Sequence, residues 1–242
     1  MPIDKYLEKL EGSRVSKKIL NPLPIFSIEN TRRYIILEGK LHETYSYPDL
    51  LVSMGKSHHG KNWYETHQAL YEEDSFMLNL RQYVDFLKLL KNGKAFDENG
   101  NLIEPKILEL ILDDIFEKRD PLRGEWIDAL FNINNNLLYI KYDNRIINGD
   151  LIPGQIRTSS NHLLKGAGIG INLDDWLNTA TIHGLPPRKI KNGELYYYAP
   201  LEDNNCVAWF YADSVGAFLS CNRDPSSSDP VLGVRHARIR SK

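Results

Sequence analysis

His58, His59 and His67, with Glu65 and Glu72 close by, carry the donor atoms from which metal centres are built. None of the recurrent zinc spacings links them, and an adjacent histidine pair in a loop flanked by Gly, Lys and Ser reads as solvated. Gly166-Ala167-Gly168-Ile169-Gly170 invites a nucleotide reading. A dinucleotide fingerprint requires a strand before the glycines, a third glycine one place further on and a helix at once. Here Ile171 holds the third-glycine position and His162–Lys165 makes a poor strand, so the segment reads as a tightly turned loop. Asp97-Glu98-Asn99-Gly100-Asn101 has the side chains of a calcium loop, but its glycine is misplaced and the closing glutamate is missing. It reads as a turn. No serine sits in a nucleophile elbow. Cys206 and Cys221 cannot form a disulfide scaffold or a four-sulfur zinc site; they read as small buried side chains, with a single bond between them sterically conceivable. No catalytic residue, metal or cofactor is expected.

The segment Val207–Arg235, VAWFYADSVGAFLSCNRDPSSSDPVLGVR, carries more information. Phe210, Ala212, Ser214, Ala217, Leu219, Cys221 and Arg223 form a mostly small or apolar set. Trp209, Tyr211, Asp213, Val215, Gly216, Phe218, Ser220, Asn222 and Asp224 lie between them. Period-two alternation sends one set into a core and the other to an exposed face. The Val215-Gly216 pair shifts the phase by one residue, as a bulge or corner does. Rigid aromatic anchors among adaptable polar neighbours have the chemistry of a binding face. An ordinary amphipathic sheet packed against helices has the same pattern, and composition alone favours that reading over the binding face.

The elements around this segment follow from periodicity and punctuation. Residues 3–11 suit a short helix. Asn62 is placed to cap a helix over 63–72, and Asn79 precedes an apolar stripe, Leu80, Tyr83, Val84, Leu87 and Leu90, stopped by Asn92-Gly93. Pro105 opens a third helix, with Ile107, Leu108, Ile111, Leu112 and Ile115 inward, that ends near Asp120-Pro121. Beyond it, Leu137–Tyr142 alternates as a strand, with Asp143-Asn144 as its hairpin turn and Asn148-Gly149 as a further turn signal. A short helix is expected over 173–179. Strands follow at 194–199, 206–211 and 232–239. No repeat of 20–50 residues is present.

Helices followed by short antiparallel strands predict the α+β class, with a helix-rich part over about 1–130 and a strand-rich part over about 131–242 of one domain. The length, 242 residues, allows between one and two domains at roughly 150 residues each. Apolar residues are 42% and charged residues 26%, which suits a sizeable core and excludes global disorder. Thirty basic and 32 acidic residues leave a net charge of −2, with no general attraction to nucleic acid or anionic membranes. No apolar run reaches the roughly 18 residues of a membrane span, and the charged N-terminus lacks a signal-peptide core. The compartment stays open.

The run Leu219-Ser220-Cys221-Asn222-Arg223-Asp224-Pro225 and the ending Leu232-Gly233-Val234-Arg235 resemble the C-terminus of the formylglycine-generating-enzyme (sulfatase-modifying-factor) branch of C-type lectin folds. That branch's oxidase uses two cysteines five positions apart, and its iron-dependent sulfoxide synthases use a histidine-rich triad; neither pattern occurs here. Within the same fold, the two interleaved sets and Pro225-Ser226-Ser227-Ser228-Asp229 are similar to the variable proteins of diversity-generating retroelements, of the archaeal viral type. The specific likeness covers about 35 residues in the C-terminal part of the sequence. It implies a C-type lectin fold and a non-enzymatic display protein, with adenine-directed mutagenesis diversifying the region 207–235. Carried onto this chain, the variable, ligand-contacting positions are Trp209, Tyr211, Asp213, Val215, Gly216, Phe218, Ser220, Asn222, Asp224, Ser227, Asp229, Pro230 and Val231. The implied scaffold is Phe210, Ala212, Ser214, Ala217, Leu219, Cys221, Arg223, Pro225, Ser226, Ser228, Leu232, Gly233 and Arg235. The implied partner is a protein target foremost and a glycan second. A metal-dependent enzyme of the sulfatase-modifying-factor type and a plain structural subunit of a virion or surface assembly are the competing readings.

Overall fold

The computed structural model describes residues 33–134, 137–159, 163–200 and 205–241. The helix expected over 3–11 lies outside them. Three helices begin where the sequence places their caps. In α1 (Trp63–Glu72) and α2 (Leu80–Lys91), Asn62 and Asn79 accept from Glu65 N and Gln82 N, and the side chains of Glu65 and Gln82 return the bond to the cap backbone. Each reciprocal pair satisfies two donors that a helix start leaves open. α3 (Pro105–Phe116) starts on proline, and α4 (Leu173–Thr179) is capped by Asn172. α3 ends at Phe116, short of Asp120-Pro121, because Glu117 turns to an extended backbone.

Strands occur in both halves, which corrects the expected division into a helical and a stranded part. β1 (Tyr34–Leu37), β2 (Lys40–His42), β3 (Tyr45–Tyr47), β4 (Leu50–Ser53) and β5 (Phe76–Met77) precede or interrupt the helices. β6 (Arg123–Asn134), β7 (Leu137–Ile147) and β8 (Asp150–Ser159) form a long antiparallel meander, longer than the short strands expected. β7 does not turn at Asp143-Asn144. The register with β8 continues unbroken through Asp143, which takes a positive φ of 53° opposite Gly154, where an added Cβ would meet Asp143 O at 2.6 Å. The chain reverses instead at Asn148-Gly149, with φ values of 53° and 88° that suit a type I′ hairpin.

β9 (Ile169–Ile171), β10 (Leu195–Tyr198), β11 (Cys206–Ala212) and β12 (Ala217–Arg223) extend that meander into a sheet of order β8-β7-β6-β11-β12-β10-β9. The pairing is mixed: β10 runs parallel to β12, and β13 (Leu232–Gly233) runs parallel to β6. The single strand expected over 232–239 is therefore two. After β13 the chain crosses to a second sheet, where β14 (His236–Ile239) pairs with β4 and β5 in the order β1-β4-β14-β5. The fold is α+β with mixed sheets. The main core gathers the inward stripes of α2 and α3 with Phe131, Phe210, Leu219 and Cys221. A second cluster places Trp63 and Leu70 of α1 against Trp126, Val207, Trp209 and Leu232. Among the described residues no helix is long and apolar enough to cross a membrane.

Candidate binding surface

The hairpin β11–β12 buries both its faces, but in different surroundings. Ala208, Phe210, Leu219 and Cys221 enter the main core, and Ala212 on the same face is buried. Trp209, Tyr211 and Phe218 form the other face with residues contributed by β6 and β10. Register sets two rows across four strands. One runs Trp126, Trp209, Ser220, Tyr198, and the next runs Gly124, Tyr211, Phe218, Tyr196. Cross-strand neighbours of this kind sit about 4.5–5.5 Å apart at Cβ, so large rings must stack or tilt against one another. They stack: ring centroids are 4.5 Å apart for Tyr211–Phe218 and 5.0 Å for Tyr196–Phe218 across strands, and 4.0 Å for Trp209–Tyr211 along β11. Trp126 and Trp209 lie 6.4 Å apart with tilted rings. Gly124 sits in the gap that Tyr211 needs, since a Cβ there would meet Tyr211 Cβ at 3.0 Å.

This corrects the expectation of a freely exposed face. Trp209 and Phe218 are each only 6% exposed and Ser220 3%, because each ring shields the next. Tyr211 and Asn222 remain half-buried. Burial, with Tyr198 and Asp213 beside it, pushes the Tyr211 hydroxyl up to about 12. Arg223, expected in the inward set, belongs to the aromatic face: its guanidinium lies 4.7 Å from the Trp209 ring centroid. The cause is a register shift between Val207 and Trp209, which moves the end of β12 relative to β11. Trp209 Nε1 and Arg223 Nε are buried there without a hydrogen-bond partner. Ser220 Oγ donates to Asn222 Oδ1 at 2.6 Å, which fixes the polar edge of the array.

Val215-Gly216 is the tip of the β11–β12 hairpin, not a bulge within a strand. Asp213 N donates to Gly216 O, and Asp213 Oδ1 accepts from Val215 N at 2.7 Å and Gly216 N at 3.1 Å. Val215 is exposed, Gly216 buried, and Ser214, expected among the scaffold residues, is exposed. The loop from Asp224 to Val231 is built the same way. Asp224 Oδ1 accepts from Ser226 N and Ser226 Oγ, and Asp229 Oδ1 from Val231 N. Such aspartate turns mimic a backbone turn. Pro225 is buried and its carbonyl accepts from Trp63 N, so the loop is tied to the start of α1. Asp224 and Pro230 are exposed and Ser227, Asp229 and Val231 half-buried, whereas Ser226 and Ser228 of the expected scaffold face outward. The sheet thus brings together Trp209, Tyr211, Phe218, Ser220 and Asn222, and leaves the turn and loop positions at its margins.

No family model, curated protein or solved structure matches this chain.

Beneath the loop, Arg235 is 1% exposed at the crossing between the two sheets. Its Nε donates to Glu125 Oε2 at 3.2 Å, Nη2 to Asp114 Oδ2 at 3.5 Å, and Nη1 to the carbonyls of Ser53 and Met54. Burial would raise the Asp114 carboxyl, but Lys56 at 2.9 Å and Arg235 outweigh it and hold it down to about 2. Tyr83 donates to the other Glu125 oxygen at 2.9 Å. This network joins β4, α2, α3, β6 and the chain crossing, and makes the base of the hairpin rigid.

The residues with donor atoms for metal chemistry are separate. His58 contacts Glu73 at 3.2 Å, and His67 packs edge-on against Trp63, 3.4 Å from Asp128. Glu65 serves the α1 cap, and Glu72 accepts from Gln68. Among the described residues no group of three or more His, Cys, Asp or Glu side chains is placed to hold a metal ion. The glycine segment is a loop, with φ of 130° at Gly166 and 67° at Gly168, entering β9. Asp97 closes a turn by accepting from Asn99 N and Asn101 N. Cys206 and Cys221 are both buried. Trp126, Tyr196 and Tyr198 were not singled out by the sequence. The sequence marks 194–199 only as a tyrosine-rich strand, and nothing local gives the partners of that strand or of Trp126.

Proposed function

We propose that this chain is a non-enzymatic ligand-binding display protein. In this reading it has a C-type lectin fold of the sulfatase-modifying-factor branch, and a retroelement diversifies its β11–β12 hairpin and the following loop. The observation that carries the reading is the double aromatic row with two unmet donors at Trp209 and Arg223, set on a scaffold fixed separately by Arg235. Binding hot spots are enriched in Trp, Tyr and Arg in well-packed, desolvated patches, and rigid rings give contact area at small entropic cost. A protein target suits this chemistry best. Tyr211 and Tyr196 would supply the apolar contact, with Phe218 packed between them as support, while Asn222, Arg223 and the turn aspartates adjust specificity. A closing strand beside the N-terminal strands, as β14 beside β4, is compatible with the proposed fold.

The test is to sequence the 3′ segment of the gene deeply across its source population. The reading expects adenine-biased substitutions concentrated at the alternating positions between Tyr211 and Val231, with Phe210, Leu219, Cys221 and Arg235 constant. Uniform sequence there, or substitutions spread evenly along the gene, overturns it.

A further inference from the structure

A second concavity shares no residue with the aromatic rows. It lies between the end of α1, β5, the last residues of β7 and β14, and encloses about 720 Å³. Small-ligand sites typically occupy about 300–1,000 Å³, mostly apolar with a few convergent polar groups. Three of the molecule's exposed large apolar side chains gather here: Tyr71 at 57%, Ile147 at 52% and Ile239 at 52% exposure. Phe76 forms part of the wall between them.

Arg145 and Arg238 line the same cleft, and the Arg238 guanidinium lies 5.7 Å from the Tyr34 ring centroid beside it. Arg145 is exposed, and neither it nor Arg238 has a carboxylate within 4.0 Å among the described residues. Arg238 donates Nη2 to Glu73 O at 3.0 Å, but its Nε is buried without a hydrogen-bond partner. Asp74 is the single carboxylate among the lining residues, which leaves the cations in excess by one.

We propose that this cleft binds a small amphiphile, with a carboxylate or phosphate head between Arg145 and Arg238 and an apolar body on Tyr71, Phe76, Ile147 and Ile239. Apolar surface and unpaired cations on one concavity match both parts of such a molecule, and neither part alone uses the whole site. Guanidinium groups suit either head, since both present paired oxygens to the fork of N–H donors.

The test is isothermal titration of the full chain with decanoate, decyl phosphate, decanol and acetate, each below its micelle-forming concentration. Saturable one-to-one binding of decanoate or decyl phosphate is expected, with decanol and acetate at least about tenfold weaker, because a charged hydrogen bond and apolar burial each contribute at that scale. The tighter of the two anions names the head group. Arg145→Gln and Ile147→Asn should each weaken that anion by about tenfold with unchanged melting temperature, since both side chains are exposed. Binding of decanol as tight as that of the anions, no saturable binding by either anion, or an unchanged affinity in Arg145→Gln overturns the proposal. These variants leave the aromatic rows intact, so failure here does not bear on the proposed display function.

Discussion

Arg235 and Val215 lie twenty residues apart and mark the two extremes of what one side chain can cost. Arg235 is enclosed, and its guanidinium is divided among two carboxylates and two carbonyls. Arg235→Ala takes a charged donor from Glu125, leaving its bond from the Tyr83 hydroxyl, and leaves Asp114 short of one cation, with both carboxylates buried. Removing one partner of a buried ionic network costs about 3–5 kcal/mol, chiefly through the stranded charge. Val215 is 58% exposed at the hairpin tip, and Val215→Ala should fall within about 0.5 kcal/mol of the parent protein. Urea denaturation of both variants checks the contrast. A loss of less than about 1 kcal/mol for Arg235→Ala would show that the network is not what holds the crossing together. Tyr211 belongs between these extremes: its stacking on Trp209 and Phe218 makes it a packing residue as well as a contact residue.

The helices were largely legible because their starts are written locally. Asn62 with Glu65, and Asn79 with Gln82, are reciprocal caps three residues apart, and the observed starts follow them. The sheet was legible only strand by strand. Alternation gave the facing of Trp209, Tyr211 and Phe218, yet their burial depends on Trp126, Tyr196 and Tyr198, whose strands are neighbours only after folding. The shift at Val207/Trp209 that carries Arg223 onto the aromatic face has no local turn signature either. The caps themselves carry a consequence for the hairpin loop, because α1's first residue donates to Pro225 O. Asn62→Ala removes the acceptor for Glu65 N and should cost about 1 kcal/mol. The expected signature is a lower urea midpoint with an unchanged slope, since the same surface unfolds. An unmoved midpoint would mean the cap is replaced by water without loss.

Taken over the whole molecule, the buried titratable groups set how stability responds to acid. Burial pushes His236 down to about 4, with Glu73 opposing and His58, Arg238 and Arg235 adding to the shift. Burial and Arg157 push His183 to about 4 as well. Both histidines, at about 6.5 when unfolded, take up protons on unfolding between roughly pH 6.5 and 4, so the stability they confer is present above that window and lost as pH falls through it. His59 is lowered by burial and by Lys56 and acts in the same direction. Asp143 opposes them. Burial and the neighbouring Asp128 raise it to about 6, so its contribution is full below about 4 and lost as pH rises through 6. At pH 5 the two histidines bind about two protons on unfolding and Asp143 releases about one, a net uptake of at least about one proton. Unfolding free energy should therefore fall by about 1.4 kcal/mol per pH unit on acidification near pH 5. Asp114, held down to about 2, adds its own loss only below about pH 4. Asp143→Asn removes the opposing group, and the slope near pH 5 should steepen to about two protons. Urea midpoints measured from pH 4.5 to 6 in both proteins, using roughly half-unit steps, resolve a difference of this size. A flat profile in the parent chain, or an unaltered slope in the variant, would mean that these buried groups exchange protons with solvent as freely folded as unfolded.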